Sequence, residues 1–581
     1  MQNAKPTRVL IWLLSIVLVV VVAAIAAGIS FRAALGPAVE HAPPRAVYAP
    51  HGVVATSQPL ASQAGLAVLT RGGNAVDAAV TAAAVLSVTE PFMTGVGGDM
   101  FAILWSAREQ RLVGINGSGR SGSLMTREAL SSVGRIPGEG PKSITVPGAL
   151  SGWAALLERY GTISLEEALA PAIALAEEGF PVTDVTAAEW AVFANLLKED
   201  AGASATFLVD GTRAPAVGEW FSNPDFARTL RAIAKDGPGV LYGGELGNRI
   251  ATHVSGLGGY LTPEDFGLHR AEWVQPMSVP FGNYRLWELP PNGQGIAALE
   301  MLRILGGVDM AGMEHNSAPY LHHLIEAKKL AYADLEHFVG DPATMSVNAD
   351  QLLTDDFIAR RRSQIDPVRA RKQAEPEASL TTSETTYLTV ADRDGNMVSF
   401  INSLGGGFGS GVVVPGTGFA LQNRGVGFSY EPGRANSVAP RTLPFHTIIP
   451  GFVTRTGVDG RQEPWLSYGI VGGPQQPQAH VQVLLNMLLF DMDVQQALDA
   501  PRFRHWSGAS VSFEQAIPKA VVNELRSMGH APQNPLMETA QTLFIGSNPG
   551  LVFGGGQAIM RKPRGYVAGS DSRRDGLAAA H

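Results

Sequence analysis

Glu384-Thr385-Thr386-Tyr387 stands directly before an alternating stretch, Leu388 to Phe400, in a chain with no cysteine and no recognisable serine-hydrolase elbow. A threonine hydroxyl is a poor nucleophile until a base takes its proton, and an N-terminal amine on the same residue can serve as that base. An internal threonine has only an amide nitrogen. A protein that used Thr385 in this way would first be cut between Glu384 and Thr385, by attack of the Thr385 hydroxyl on the Glu384 carbonyl and hydrolysis of the resulting ester. The freed α-amine, with an ordinary pKa of roughly 7.7–8.0, accepts a proton near neutral pH. The same residues also read as plain β-formers that open a strand and pack a sheet.

The neighbouring elements have to hold Thr385 in place. Asp392-Arg393-Asp394-Gly395 has the composition of a type I turn with Gly395 in the left-handed position, the three-residue hairpin loop that leaves a bulge. If Asp392 faces Asn396, that register sets Thr385 opposite Ser403; a slip of one residue sets Leu404 there instead. Gly405-Gly406-Gly407-Phe408-Gly409-Ser410-Gly411 comes next, before Val412-Val413-Val414. It reads equally as a flexible loop or as backbone that approaches a ligand where any Cβ would clash.

With 581 residues, 45% of them hydrophobic, and 66 glycines, the chain suits a large, loop-rich globular body. A formal net charge of −8 offers no basic face, which excludes nucleic-acid partners. The lack of cysteine removes disulfides, cysteine nucleophiles and cysteine-ligated metals together. No His-Glu-x-x-His pattern and no Gly-Lys-Ser/Thr phosphate loop is present, so no metal and no nucleotide cofactor is indicated.

At the N-terminus, Val9 to Ala27 is apolar apart from Ser15, behind Lys5 and Arg8. The run approaches the ~20 residues that span a bilayer and exceeds the roughly 7–15 of a signal-peptide core. The expectation is a cytoplasmic tip and transmembrane signal anchor over residues 1–29, in the inner membrane and single-pass, with the body periplasmic. A leader cleaved at Ala24-Ile25-Ala26, giving a secreted protein, is the alternative. Residues 30–50, with Pro37, Pro43, Pro44 and Pro50, read as a linker.

In the body, Pro59 to Arg71 reads as a helix ended by Gly72-Gly73, and Asn74 with Asp77 caps a second helix to about Ser87. Its alanine at nearly every turn implies tight burial. Gly95-Val96-Gly97-Gly98-Asp99 feeds a strand, Met100 to Trp105, with Arg111 to Asn116 as hairpin partner. Helices dominate from about Gly148 to Leu353; Ala318 to Phe338 is the clearest. On it, His322 and His323 are adjacent and point apart, so they read as structural or surface residues. Asp366 to Thr382 is polar and without periodicity, a mobile approach to the cleavage site. Strands resume after Thr385, at Gly418 to Gln422 and at Leu466 to Val471, and two packed sheets between helical layers account for the alternation.

Together these segments resemble the γ-glutamyltransferase family of N-terminal-nucleophile hydrolases, from roughly His51 to near the C-terminus. The resemblance is carried by Gly72-Gly73-Asn74-Ala75-Val76-Asp77-Ala78-Ala79, Val146-Pro147-Gly148-Ala149, Glu326 to Asp334 with Gly340-Asp341-Pro342, the Thr385 hairpin, and Gly472-Gly473. It implies an α+β, four-layer αββα sandwich made as a proenzyme, with a large subunit of residues 51–384 and a small one of 385–581 that stay associated. It puts Thr385 at the nucleophile position, Ser403 at that of a second hydroxyl, and Gly472 and Gly473 at the pair whose N–H groups form the oxyanion hole.

Departures from the family pattern fall on the substrate pocket. The glutathione-using transpeptidases grip the substrate α-amino group with an acidic residue shortly after an Asn-Gln pair. Here the stretch is Asn423-Arg424-Gly425-Val426-Gly427, with arginine for glutamine and glycine at the acidic position. His446 and Thr447 replace the serine pair for the α-carboxylate, and Arg120 lies about two positions from the expected carboxylate-binding arginine. The lid-bearing connection, between Phe428 and Pro444, is short. The expected activity is that of a membrane-anchored γ-glutamyltransferase or glutathione hydrolase, passing a γ-glutamyl group through a Thr385 ester to water or an amine. Alternatives are a same-fold acylase of cephalosporin, glutaryl-type or other small amides, and an inactive, anchored binding protein.

Overall fold

Along most strands of this chain both faces are apolar, so each sheet needs cover on two sides. The computed structural model of the protein describes residues 45–371, 384–531 and 549–581. One antiparallel seven-stranded sheet runs Leu577–Ala580, Val53–Thr56, Glu384–Ala391, Met397–Gly405, Asp99–Ser106, Arg111–Gly117 and Glu272–Val274. The second runs Val47–Ala49, Tyr566–Ser570, Gly556–Arg561, Gln462–Ile470, Gly451–Thr456, Tyr284–Glu288 and Met277–Phe281.

Because successive strand residues point to opposite faces, each sheet divides its side chains between two cores. Phe101, Ile103, Tyr387, Met397 and Ile401 of the first sheet meet Phe452, Ile559 and Ala568 of the second in a layer between them. The alternate residues of the first sheet, among them Ala102, Leu388, Val390 and Phe400, pack under Ala75–Thr89 and its helical neighbours. Those of the second, including Val453, Leu466 and Tyr468, pack under Gly295–Leu305, Ala318–Phe338 and Gln476–Leu489. Three apolar cores therefore separate four layers, helix, sheet, sheet, helix.

The helix Ala75–Thr89 begins as its sequence requires. The Asn74 side chain accepts from Val76 N and Asp77 N, and Asp77 Oδ2 accepts from Asn74 N at 2.9 Å. Every residue of it is buried, and its alanines let Pro59–Thr70 and Leu165–Glu178 pack closely on either side.

Several expectations are corrected. Gly418 to Gln422 is not a sheet strand; Gly418 has φ +77°, and the segment bonds to loops, through Leu421 N to Val412 O and Gln422 N to Gly97 O. The ordered body starts before residue 51, since Val47–Ala49 forms an edge strand on Tyr566–Ser570. Within the region read as helical lie Glu272–Val274, Met277–Phe281 and Tyr284–Glu288, short edge strands whose pattern is too brief to stand out. Asp366 to Arg371 is held to the body: Asp366 O takes a hydrogen bond from His322 Nε2 at 2.7 Å, and Arg371 N donates to Glu326. The rest of that approach, 372–383, and the anchor and most of the linker, residues 1–44, lie outside the described residues. Among the described residues no helix is long and apolar enough to cross a membrane.

The first sheet interleaves chain from both sides of residue 385. Val53–Thr56 lies between Glu384–Ala391 and Leu577–Ala580, hydrogen-bonded to each. Asp575 adds a second tie, accepting from Thr183 Oγ1, Val185 N and Thr186 N at the start of the helix Asp184–Val192. Arg574 Nη1 and Glu189 Oε1 pair beside it at 2.5 Å, both buried.

Candidate active site

The turn sets the site. Gly395 has φ +92°, and Asp392 Oδ1 accepts from Asp394 N and Asn396 N, each at 3.0 Å. The other carboxylate oxygen of Asp392 accepts from Ala75 N at 2.9 Å, which bolts the hairpin tip to the first turn of Ala75–Thr89. The ladder runs Ala391 to Met397 through Thr386 to Asn402, then shifts at a bulge before Glu384 pairs with Gly405. Thr385 sits in that bulge, 1% exposed, with its Oγ1 donating to Ser403 Oγ at 3.2 Å. Gly98 has to be glycine for this strand to lie where it does, because a Cβ there would come 2.4 Å from Ser403 O.

Ser403 Oγ also accepts from Gly405 N at 3.0 Å and from Arg424 Nη2 at 2.5 Å. Arg424 reaches on to Thr447 Oγ1 with Nη1, at 2.7 Å. The guanidinium is fully buried, and burial pulls its pKa down to about 10 against the opposing pull of Asp99.

Behind it lies a pair the sequence did not disclose. Asp99 Oδ1 accepts from Gly119 N and Gly148 N at 3.1 and 3.0 Å, and Oδ2 faces His446 Nε2 at 3.1 Å. His446 Nδ1 accepts from Ile448 N at 3.3 Å, so the ring proton is on Nε2 and is donated to Asp99. Burial, then the Arg424 charge, hold His446 well below its ordinary pKa, so the ring is neutral.

Burial pushes the Asp99 carboxyl up to about 7, offset in part by Arg424 and the two backbone N–H groups. The folded protein thus holds this proton more tightly than the unfolded chain, whose aspartates titrate near ~3.9. Stability is therefore expected to fall as pH rises from about 4 through about 7, by up to one proton's worth of slope from Asp99. Comparing denaturant midpoints of an uncleaved parent and its Asp99→Asn variant across that window checks this. The variant's slope is expected to be shallower, and identical slopes would count against the assignment.

Gly472 and Gly473 follow the strand Gln462–Ile470. Across the inter-sheet layer Thr389 Oγ1 meets Ser467 Oγ at 2.6 Å, and Tyr387 fills the space beside Gly469, where a Cβ would lie 2.4 Å from its ring. Val471 and then the two glycines continue the chain from that strand. Both have positive φ, +117° and +57°, and Gly472 O accepts from Gln475 N at 3.0 Å. That bond turns the Gly473 N–H, on the opposite edge of the same peptide, the other way. Among the described residues no acceptor is bonded to the N–H of Gly472 or Gly473.

Gln294 joins the two halves of the site. It is fully buried, and its Nε2 donates both to Thr447 O at 2.5 Å and to Gly473 O at 2.8 Å. Its only sequence signal is a Pro-Pro-Asn-Gly-Gln-Gly turn, Pro290 to Gly295, which reads as a connection.

Hydrogen bonds join Thr385, Ser403, Arg424, Thr447, Gln294 and Gly473 into one network, and the other expected residues are set apart. His446 has both ring nitrogens engaged away from Ser403. Asn423 accepts from Gly406 N and donates to Gly138 O, at 2.9 and 2.7 Å, so its amide clasps the glycine loop. That loop packs on the chain itself; a Cβ at Gly409 would lie 2.4 Å from Leu421 O. Arg120 pairs with Asp341 and Glu272 at 3.1 and 2.8 Å, lining a separate cavity of about 270 Å³ with His269, Arg270 and Arg441. His322, Glu326 and His530 bring potential metal-ligand atoms within 4.8 Å of one another, but Glu326 is bonded to Lys329 Nζ at 2.7 Å and the two rings to each other at 2.8 Å.

Comparisons with known proteins bear on the family and the fold. The gamma-glutamyltranspeptidase family model matches residues 61–581. A glutathione hydrolase-like YwrD proenzyme of Bacillus subtilis (strain 168) is 36% identical over 497 residues, covering 84% of this chain and 93% of its own length. An oxamate amidohydrolase proenzyme of Klebsiella pneumoniae is 34% identical, covering 91% and 98%. The crystal structure of a cephalosporin acylase from Bacillus halodurans is similar at a TM-score of 0.85 and 43% identity, over 94% of this chain and 99% of that one. Relatives named as working enzymes lend no support to an inactive binding protein. On a family match of this extent and a fold shared with that acylase, the chain belongs to the gamma-glutamyltranspeptidase family, as an enzyme of its N-terminal-nucleophile hydrolase and acyltransferase type.

Proposed function

We propose that the protein cuts itself between Glu384 and Thr385 and then hydrolyses or transfers the acyl group of a small amide through an ester on Thr385. The observation that carries this reading is the buried Thr385 hydroxyl on Ser403, at the head of a strand whose turn and bulge allow one register. In the cut protein Thr385 Oγ attacks the amide carbon while the Thr385 α-amine takes its proton and passes it to the leaving amine. The N–H groups of Gly472 and Gly473 face the oxygen that becomes negative, and Gln294 steadies the Gly473 carbonyl beside them. Water, or a second amine, then opens the ester. The chain up to Glu384 and residues 385–581 form the large and small subunits, joined through the shared sheet. The apolar run Val9 to Ala27 supports an inner-membrane anchor with the body outside the membrane, a secreted form being the alternative.

The acyl group is γ-glutamyl or a related one. The family and the glutathione hydrolase-like relative favour γ-glutamyl; the acylase and the oxamate amidohydrolase favour an acyl group without an α-amine. The direct test of processing is N-terminal sequencing of both fragments after denaturing electrophoresis. The smaller is expected to begin Thr-Thr-Tyr-Leu, and the start of the larger reports whether residues 1–29 are retained. A single uncut chain with full turnover would defeat the proposal.

A further inference from the structure

We infer that the Arg424 guanidinium is the receptor for a carboxylate on the acyl group, so that the preferred donor is a monoamide of a short dicarboxylic acid with no ammonium group beside that carboxylate. The inference rests on the reading of Thr385 as nucleophile.

Arg424 is 3% exposed, and the described hydrogen-bond partners of its guanidinium are two hydroxyls, of Ser403 and Thr447, and no carboxylate. Its Nε–H is buried and has no partner among the described residues. An arginine normally enters a protein interior against a carboxylate, since a buried unpaired charge is strongly unfavourable. Among the described residues the one acidic group acting on it is Asp99, whose oxygens are already taken by Gly119 N, Gly148 N and His446 Nε2. A planar fork with an open N–H, one hydroxyl away from Thr385 Oγ1, suits a carboxylate held on the acyl side of the scissile bond.

The same ground excludes an ammonium group. At Gly427, where the transpeptidases of the resemblance carry an acid, a Cβ would lie 2.2 Å from Phe445 O. The backbone has closed over that place, and no carboxylate side chain fits there. His446 is neutral with both nitrogens engaged, so it offers an ammonium nothing. The charge that such a group would meet is the guanidinium, of like sign.

Three p-nitroanilides isolate the two charges. Glutaryl and γ-glutamyl differ by the ammonium, and glutaryl and valeryl by the carboxylate. With the processed wild-type protein, kcat/KM is expected to favour glutaryl over γ-glutamyl by at least about 10-fold and over valeryl by on the order of 100-fold. In Arg424→Gln the ratio of the glutaryl to the valeryl value is expected to fall on the order of 100-fold, whatever loss the two compounds share. Arg424→Lys, which keeps the charge, is expected to retain part of the preference. A wild-type preference for γ-glutamyl, or equal loss on all three compounds in Arg424→Gln, would overturn the inference, and the wild-type ratios decide the matter even if a variant fails to fold. Thr385→Ala separates the two levels: inactivity on all three upholds the nucleophile whatever the ratios are, and persistent activity removes it.

Discussion

Thr385→Ala is expected to migrate as one band on denaturing electrophoresis and to lose turnover by on the order of 10⁴-fold or more, because in the proposed mechanism a single oxygen both cuts the chain and forms the ester. The loss should not come from unfolding. In the folded precursor that oxygen makes one hydrogen bond among the described residues, to Ser403 at 3.2 Å, worth about 1 kcal/mol. The denaturant midpoint of the variant is therefore expected to stay close to that of an uncut wild-type precursor. Thr385→Ser keeps an oxygen and an α-amine and is expected to cut itself, more slowly, and to retain measurable turnover. If the alanine variant is processed and active, or if the serine variant is as dead as alanine, the mechanism is wrong.

The second large effect is expected at Gly472→Ala. A Cβ at Gly472 would have room, its nearest neighbours being Gln475 Cβ and Gly554 Cα at 3.4 Å, so crowding is not the obstacle. The obstacle is φ of +117°, which an alanine does not adopt without strain. Relief comes from rotating the peptides on either side, which, in the proposed mechanism, swings the N–H groups of residues 472 and 473 away from the developing oxyanion. Loss of one such donor lowers kcat by on the order of 10²–10³-fold, with KM little changed. Gly460→Ala is the control, at φ +78° in an exposed turn with nothing within 4 Å of its Cβ position. It carries similar backbone strain and is expected to leave kcat unchanged; a comparable loss there would mean that the Gly472 effect is general destabilisation.

The parts of this site that could be read from the chain are those built by neighbours in sequence. Asp392 to Gly395 is a complete local instruction, since the carboxylate that closes the turn and the glycine that allows it lie within four residues, and the register they impose carries Thr385 to Ser403. The order of helical and strand segments and the Asn74 cap, local patterns too, showed packed sheets between helical layers, while the four-layer form came from the family resemblance. Asp99 and Gln294 were not, because their meaning comes from partners 347 and 179 residues away, His446 and Gly473. Arg424 shows a third kind of limit. An arginine in a glycine-rich stretch is ordinarily a surface residue, and only the fold places it inside, against two hydroxyls. His446 and Asn423 were found by position along the chain, whereas their bonding depends on Asp99, Gly406 and Gly138.

The strand Val53–Thr56, clasped on one edge by Glu384–Ala391 and on the other by Leu577–Ala580, would make the proposed cut a one-way event for folding. Before scission the sheet assembles from a single molecule, and loop closure is unimolecular. Afterwards the same ladder can be rebuilt only when two separate polypeptides meet, with one threading its strand between two of the other's. Regain of structure after full denaturation should therefore depend on protein concentration for the mature enzyme and be independent of it for an uncut precursor.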